Sequence, residues 1–124
     1  MINAIFAADY NGGIGFNGSL PWPHNQEDFQ YFKEITKGHV VIMGRKTWDD
    51  PKMPKPLPFR TNFVFTNRTL PYTGVKTLSG DPVTVIRNIE SNYPDKQIFI
   101  IGGKTLIEST ASIIDNLYLT HIKG

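Results

Sequence analysis

The apolar residues of this chain gather into runs rather than alternating with polar ones. Ile2-Asn3-Ala4-Ile5-Phe6-Ala7-Ala8, Val40-Val41-Ile42-Met43, Phe63-Val64-Phe65 and Gln97-Ile98-Phe99-Ile100-Ile101 are nearly unbroken. Such runs predict strands covered on both faces, as in a parallel sheet. Residues 117–122 and the shorter 75–78 predict two more. Helical spacing falls between them: residues 25–36 place Phe29, Phe32 and Ile35 at i, i+3 and i+6, and Val83, Ile86 and Ile89 repeat it. The second helix also has start chemistry, because Asp81 can cap it and Pro82 suits the first helical position, where a missing N–H costs nothing. Strand and helix alternate, so the pattern predicts an open α/β sheet.

Length and composition narrow this further. At 124 residues the chain is one domain's worth, able to bury roughly two-thirds of the surface its unfolded form exposes. With 40% hydrophobic and 19% charged residues it is too apolar for intrinsic disorder. A net charge of +2 creates no field that would draw nucleic acid or a membrane, so any anionic ligand must be met locally. There is no cysteine, which excludes disulfides and thiolate chemistry and suits a reducing compartment; the cytoplasm is the expected location. Residues 1–9 are too short for a membrane span and lack the basic start of a signal peptide. Residues 51–58, with four prolines, predict a stiff loop rather than a domain boundary.

In open α/β sheets ligands bind beyond the carboxyl ends of the strands. Gly44-Arg45-Lys46-Thr47, Thr66-Asn67-Arg68, Ser79-Gly80 and Gly102-Gly103-Lys104-Thr105 follow the four predicted strands at 40–43, 63–65, 75–78 and 97–101. Glycine lets backbone N–H groups approach a phosphate, and Arg or Lys supplies charge for a second one, so a dinucleotide fits. For any single loop, turning glycines and solvated cations explain the residues as well; four loops at one edge favour a ligand. No GxGxxG or Walker P-loop is present. On the first predicted helix Asp28, Phe32 and Ile35 share a face, which sets a carboxylate among apolar groups where its pKa rises and it can hold or pass a proton. Helix capping with Asn25 explains Asp28 equally well from spacing alone. The glycine-rich residues 9–22 read either as a lid or as a merely mobile loop.

Taken together, these motifs resemble the dihydrofolate reductase family in order and spacing: residues 15–22 with Leu20-Pro21-Trp22, Asp28 followed by Phe32-Lys33, Val41-Ile42-Met43-Gly44-Arg45-Lys46-Thr47-Trp48, Pro56-Leu57-Pro58-Phe59-Arg60, Ile101-Gly102-Gly103, and Leu117-Tyr118-Leu119-Thr120-His121-Ile122. The resemblance spans the chain and implies a single-domain α/β open sheet over residues 1–124, with six mostly parallel strands and flanking helices. It implies NADPH-dependent reduction of 7,8-dihydrofolate to 5,6,7,8-tetrahydrofolate, with hydride going to C6 of the pterin and a proton to N5, and no metal. Asp28 is then the carboxylate that holds the pterin's amino-pyrimidine edge, and Thr120 the hydroxyl linked to it. Ile5, Phe6, Leu20, Phe32, Leu57 and Ile101 resemble the pocket walls, and Arg60 the cation for the substrate's glutamate carboxylate. Ala7, Ile14, Arg45, Lys46, Thr47, Thr66, Asn67, Arg68, Gly102, Gly103, Lys104 and Thr105 match cofactor-contacting positions, with Arg45 and Arg68 as candidates for the 2′-phosphate. His24, His39 and His121 have no catalytic match.

Three departures from the family pattern stand out. Phe59 occupies a position usually held by glycine, which puts the Arg60 loop in question. Ile107 replaces an aromatic near the nicotinamide. The family continues past the point matching residue 124 into a Gly-Asp-Thr loop and two more strands, so the resemblance implies a sheet lacking that C-terminal edge hairpin, a lid without its brace, and weakened activity. The strand at 117–122 is then expected to be an open edge that pairs with a second copy or another chain. Two other readings stay open on sequence: another NADPH-dependent pterin or pyrimidine reductase, such as the riboflavin-pathway reductase domain, and a non-catalytic folate- or nucleotide-binding or structural subunit, for instance a viral assembly component.

Overall fold

A computed structural model describes residues 1–8, 34–49, 57–70 and 74–121, of which 6–8 and 119–121 are described by backbone alone. Its strands are β1 (Ile2–Ala8), β2 (Val40–Gly44), β3 (Thr61–Phe65), β4 (Val75–Leu78), β5 (Ile98–Ile100) and β6 (Asn116–His121). They form one sheet in the order β4-β3-β2-β5-β1-β6. Every neighbouring pair is parallel. The chain thus runs outward from β1 to β4, then returns to insert β5 between β1 and β2 and to add β6 beyond β1.

The continuous apolar runs have the cause expected of them, because alternate residues of each strand enter different cores. Ile5, Val41, Met43, Val64, Phe99 and Ile101 meet Trp48 and Leu57 in one buried cluster. Ile2, Val40, Ile42, Phe63, Ile98 and Ile100 meet Ile86, Ile89, Leu106 and Ile113 in the other. Burying such a side chain contributes about 1.5–3 kcal/mol, more than a helix cap supplies, so packing on both faces of the sheet holds the fold. The second face is covered by the helix Pro82–Asn92, which starts as its sequence predicts: Asp81 accepts hydrogen bonds from the Thr84 N–H (3.0 Å) and hydroxyl (2.9 Å), with Pro82 following. Ile86 and Ile89 are its buried positions, and Tyr93 beyond its end sets its ring edge-on to Phe63.

Polar residues inside the strands fix register. Buried Asn3 donates to Gln97 Oε1 (3.1 Å) and the Ile98 carbonyl (3.0 Å), and accepts from Asn116 Nδ2 (3.0 Å), tying β1 to both of its neighbours. Two further helices, Arg45–Trp48 directly after β2 and Lys104–Ser109 three residues beyond β5, form where the hydrophobic pattern predicts only loops. Among the described residues no helix is long and apolar enough to cross a membrane.

Candidate functional site

Because all six strands are parallel, their carboxyl ends share one edge, and the loops singled out by composition lie along it. The connections leaving β2 and β5 diverge: one runs out to β3, the other across to β6. That is the switch point at which open α/β sheets leave a crevice. Gly44 and Gly102 meet there, the Gly44 N–H donating to the Gly102 carbonyl at 2.8 Å. Gly102 has φ +134°, and a Cβ on it would stand 2.9 Å from Thr47 Oγ1. Both the backbone conformation and the close approach of buried Thr47 therefore demand glycine. Gly44 and Gly103 are the N-cap residues of the two short helices, and neither helix has a side-chain cap.

Cations and hydroxyls flank this junction. Arg45, Lys46, Lys104 and Thr105 are exposed. Arg45 pairs with Asp49 at 3.3 Å and Lys104 with Glu108 at 3.9 Å, both on the surface. Exposed pairs contribute about 0–1 kcal/mol, so an incoming phosphate can take either cation without a large loss. Next along the edge, Arg68 donates its N–H to Thr66 Oγ1 at 3.2 Å, and Thr66 is itself held to β4 through the Leu78 carbonyl.

On the apolar side, three predicted wall residues come together: Ile5, Leu57 and Ile101 lie in the same buried cluster, with Ile35 packed against it. Arg60, from the turn before β3, donates from Nε to Thr36 Oγ1 at 2.8 Å and from Nη1 to the Pro58 carbonyl. Partial burial lowers its pKa from the usual guanidinium value. Phe59 beside it has φ +60°, so the position where glycine is usual keeps a left-handed backbone despite its side chain. Ile107 packs against the second cluster, on the sheet face opposite Leu57 and Ile101. His39 has a structural task, its Nδ1 accepting the Gln97 N–H at 3.0 Å while its ring lies against Phe99.

Other sequence-predicted residues are not brought into view. Ile14, Leu20, Asp28, Phe32 and His24 lie outside the described residues, and Phe6, Ala7, Thr120 and His121 are described by backbone alone. The register does set Ala7 opposite Thr120, and Ala8 opposite His121, across β1 and β6. Sequence reasoning passed over Thr36 and Asn62, which hold the Arg60 turn; a polar residue entering the apolar run at 63–65 was the available sign for Asn62.

The dihydrofolate reductase family model matches residues 1–124. The chain belongs to the dihydrofolate reductase family. It is 39% identical to dihydrofolate reductase type 9 of Escherichia coli over a 132-residue alignment covering 98% of this chain and 70% of that protein. It is 36% identical to a Staphylococcus aureus dihydrofolate reductase, covering 99% and 72%. Among solved structures, Schistosoma mansoni dihydrofolate reductase superposes with a TM-score of 0.80 at 30% identity, covering 99% of this chain and 74% of that one. The Enterococcus faecalis enzyme, complexed with NADP(H) and RAB-propyl, gives 0.78 at 31%, covering 100% and 71%. All four are dihydrofolate reductases, which leaves the riboflavin-pathway and non-catalytic readings without support. The shared fold makes the Gly44 and Gly102 junction, and the buried cluster that holds Ile5, Leu57 and Ile101, parts of a dihydrofolate reductase fold.

Proposed function

We propose that the carboxyl edge of this sheet is where the chain reduces 7,8-dihydrofolate to 5,6,7,8-tetrahydrofolate, consuming NADPH and one proton per turnover. The observation that carries the reading is the junction of Gly44 with Gly102 at the switch point. Two glycine turns joined there by a 2.8 Å hydrogen bond, and flanked by Thr47, Lys46 and Lys104, suit a diphosphate bridge. NADPH, when bound, supplies the hydride that reaches C6 of the pterin. Ala7, Ile14, Lys46, Thr47, Gly102, Gly103, Lys104 and Thr105 would hold it; Thr66, Asn67, Arg68 and Arg45 would take the adenosine end with its 2′-phosphate.

The chain's own chemistry rests on a single proton and on exclusion of water. Asp28 is assigned the amino-pyrimidine edge of the pterin, where its negative charge favours a proton at N5, and Thr120 is assigned to orient that carboxylate. Ile5, Phe6, Leu20, Phe32, Leu57 and Ile101 are assigned the walls; the three of these with described side chains, Ile5, Leu57 and Ile101, form one buried group. Arg60 is assigned the glutamate carboxylate, a planar fork matched to a planar anion. Residues 1–124 act in this reading as one domain, in the cytoplasm.

The test is the loss of NADPH absorbance on mixing the protein with dihydrofolate, beside Asp28→Asn. Consumption by the parent and a drop in kcat of about 10²–10⁴-fold in the variant support the assignment. Equal turnover by both would remove Asp28 from the chemistry.

We also propose that β6 accepts a further strand on its outer side, from a second copy or a partner chain. It is the outermost strand of the sheet among the described residues, and Leu117 on it is 57% exposed. Light scattering coupled to size exclusion tests this; a monomer whose mass is unchanged by Leu117→Lys would sink it.

A further inference from the structure

The turn that carries Arg60 is held from two sides by buried polar groups. Asn62, 1% exposed, is the second residue of β3 and shares its face with Val64, the face on which Leu57, Ile5 and Ile101 assemble. Its side chain uses both ends on the turn. Oδ1 accepts the Leu57 N–H at 3.0 Å, and Nδ2 donates to the Leu57 carbonyl at 2.9 Å and to the Arg60 carbonyl at 3.0 Å. From the other side come residues 36–39. Fully buried Thr36 accepts from Arg60 Nε at 2.8 Å, the Gly38 N–H donates to the Phe59 carbonyl at 2.9 Å, and the Thr61 N–H donates to the His39 carbonyl at 3.0 Å.

These contacts constrain different things. Asn62 fixes the backbone at both ends of the Leu57 to Arg60 turn, so the wall residue and the cation move as one unit. Thr36 fixes the guanidinium itself: a bond at Nε, together with the one from Nη1 to the Pro58 carbonyl, sets the plane of the fork. A bidentate contact with a carboxylate depends on that plane. The turn needs such holding, because Phe59 stands in its middle at φ +60° with a bulky side chain that disfavours the conformation.

We infer that Asn62 and Thr36 are positioning residues that aim Arg60 at the substrate's tail carboxylate, and so set selectivity for substrates that carry a tail. The inference rests on the assignment of Arg60 above. It separates two roles within the site: the aim of Arg60 governs binding of the tail, and the pterin end governs the chemical step.

The experiment compares dihydrofolate with 6-methyl-7,8-dihydropterin, which offers the same reducible ring without benzoylglutamate, in the full chain with saturating NADPH. Thr36→Val removes the acceptor with little change of volume, Thr36→Ser restores it, Asn62→Ala removes the clamp, and Arg60→Met reports the tail contact itself. Losing one hydrogen bond to a charged group corresponds to roughly tenfold. Thr36→Val is therefore expected to raise KM for dihydrofolate about tenfold with kcat kept within about twofold and to leave kcat/KM for the tailless pterin unchanged, Asn62→Ala, which also releases the wall residue Leu57, to raise KM for dihydrofolate more than for the tailless pterin, and Thr36→Ser to recover the parent KM. Parallel losses on both substrates, a fall in kcat alone, or an unchanged KM for dihydrofolate would overturn the inference. Should Asn62→Ala fail to fold, the pair Thr36→Val and Thr36→Ser decides the matter. If Arg60→Met shows no preference between the substrates, the assignment of Arg60 falls and the inference with it; if only Arg60→Met is tail-selective, the assignment stands and the inference falls.

Discussion

Thr47 Oγ1 occupies the space that a Cβ on Gly102 would need, 2.9 Å from where that atom would be. The relation joins the turn after β2 to the turn after β5, and it makes Gly102 intolerant of any side chain. Gly102→Ala is expected to lower stability by on the order of 1–3 kcal/mol, the usual range for a residue forced into a sparsely populated backbone region, and to weaken NADPH binding in parallel. Urea unfolding and a fluorescence titration with NADPH check the two effects. Adding Thr47→Ala should recover the steric part of the stability loss, leaving the part due to φ +134°, so the two substitutions are expected to be non-additive.

Phe59 presents the opposite case, a side chain where the backbone favours none. Its φ is +60° and the residue is 78% exposed, with Lys37 Nζ 5.9 Å from the ring centroid. Little burial is lost on replacing it. Phe59→Gly is expected to stabilise the fold by about 0.5–1 kcal/mol, the left-handed penalty of roughly 1–2 kcal/mol being partly offset by glycine's greater freedom in the unfolded chain. Phe59→Ile, β-branched, should do the reverse. Thermal unfolding of the two variants against the parent is the check.

His39 makes stability depend on pH in a direction the structure sets. Burial, and then the charge of Lys96, hold its pKa below the ordinary value of 6.5, and the neutral ring is the form that accepts the Gln97 N–H. The unfolded chain therefore takes up this proton first. The contribution of His39 is fully present above pH 6.5, declines as pH falls from there toward the lowered folded-state value, and levels off below it. Urea midpoints measured from pH 8 to 5 should show this loss in the parent, and a smaller one in His39→Asn, whose Oδ1 accepts without titrating.

The exposed cations at the adenosine end predict cofactor preference. Arg45→Leu and Arg68→Leu are each expected to lower kcat/KM with NADPH about 10–100-fold, as loss of a charge-assisted hydrogen bond to phosphate does, and to leave the value with NADH nearly unchanged. The ratio of the two specificity constants is the measurement. Arg68 should show the cleaner effect, since Arg45 already shares its charge with Asp49.

How much of this was legible in the sequence depended on how local the cause was. The central strands announced themselves because both of their faces are buried, which removes polar residues from β2 and β5 altogether. Asp81 and Pro82 marked the start of their helix because capping is a matter of three adjacent residues. The helices Arg45–Trp48 and Lys104–Ser109 escaped notice, since four and six residues are too few to show a helical period. Thr36 and Arg60 meet across 24 residues, and nothing local signals a partner at that distance. The strand order was equally hidden: Asn3 finds Gln97 94 residues away, and no periodicity says which runs will be neighbours. Asp28, with Leu20, Phe32 and the glycine-rich residues 9–22, lies outside the described residues, so its role still stands on the motif.

Insertion of β5 between β1 and β2 has a consequence for how the chain is made. Of the described strands, β1 and β2 come first in the chain, and they have no common neighbour until residue 100 exists. At roughly 5–20 residues per second, translation from Gly44 to Ile100 takes about 3–11 s. During that interval β1 stands alone, and β2, beside β3, offers an open inner edge that is apolar on both faces. Such an edge captures other strands as readily as its own. The topology that brings Gly102 to Gly44 thus makes synthesis on the ribosome the period when this chain is most exposed to aggregation and most dependent on chaperones.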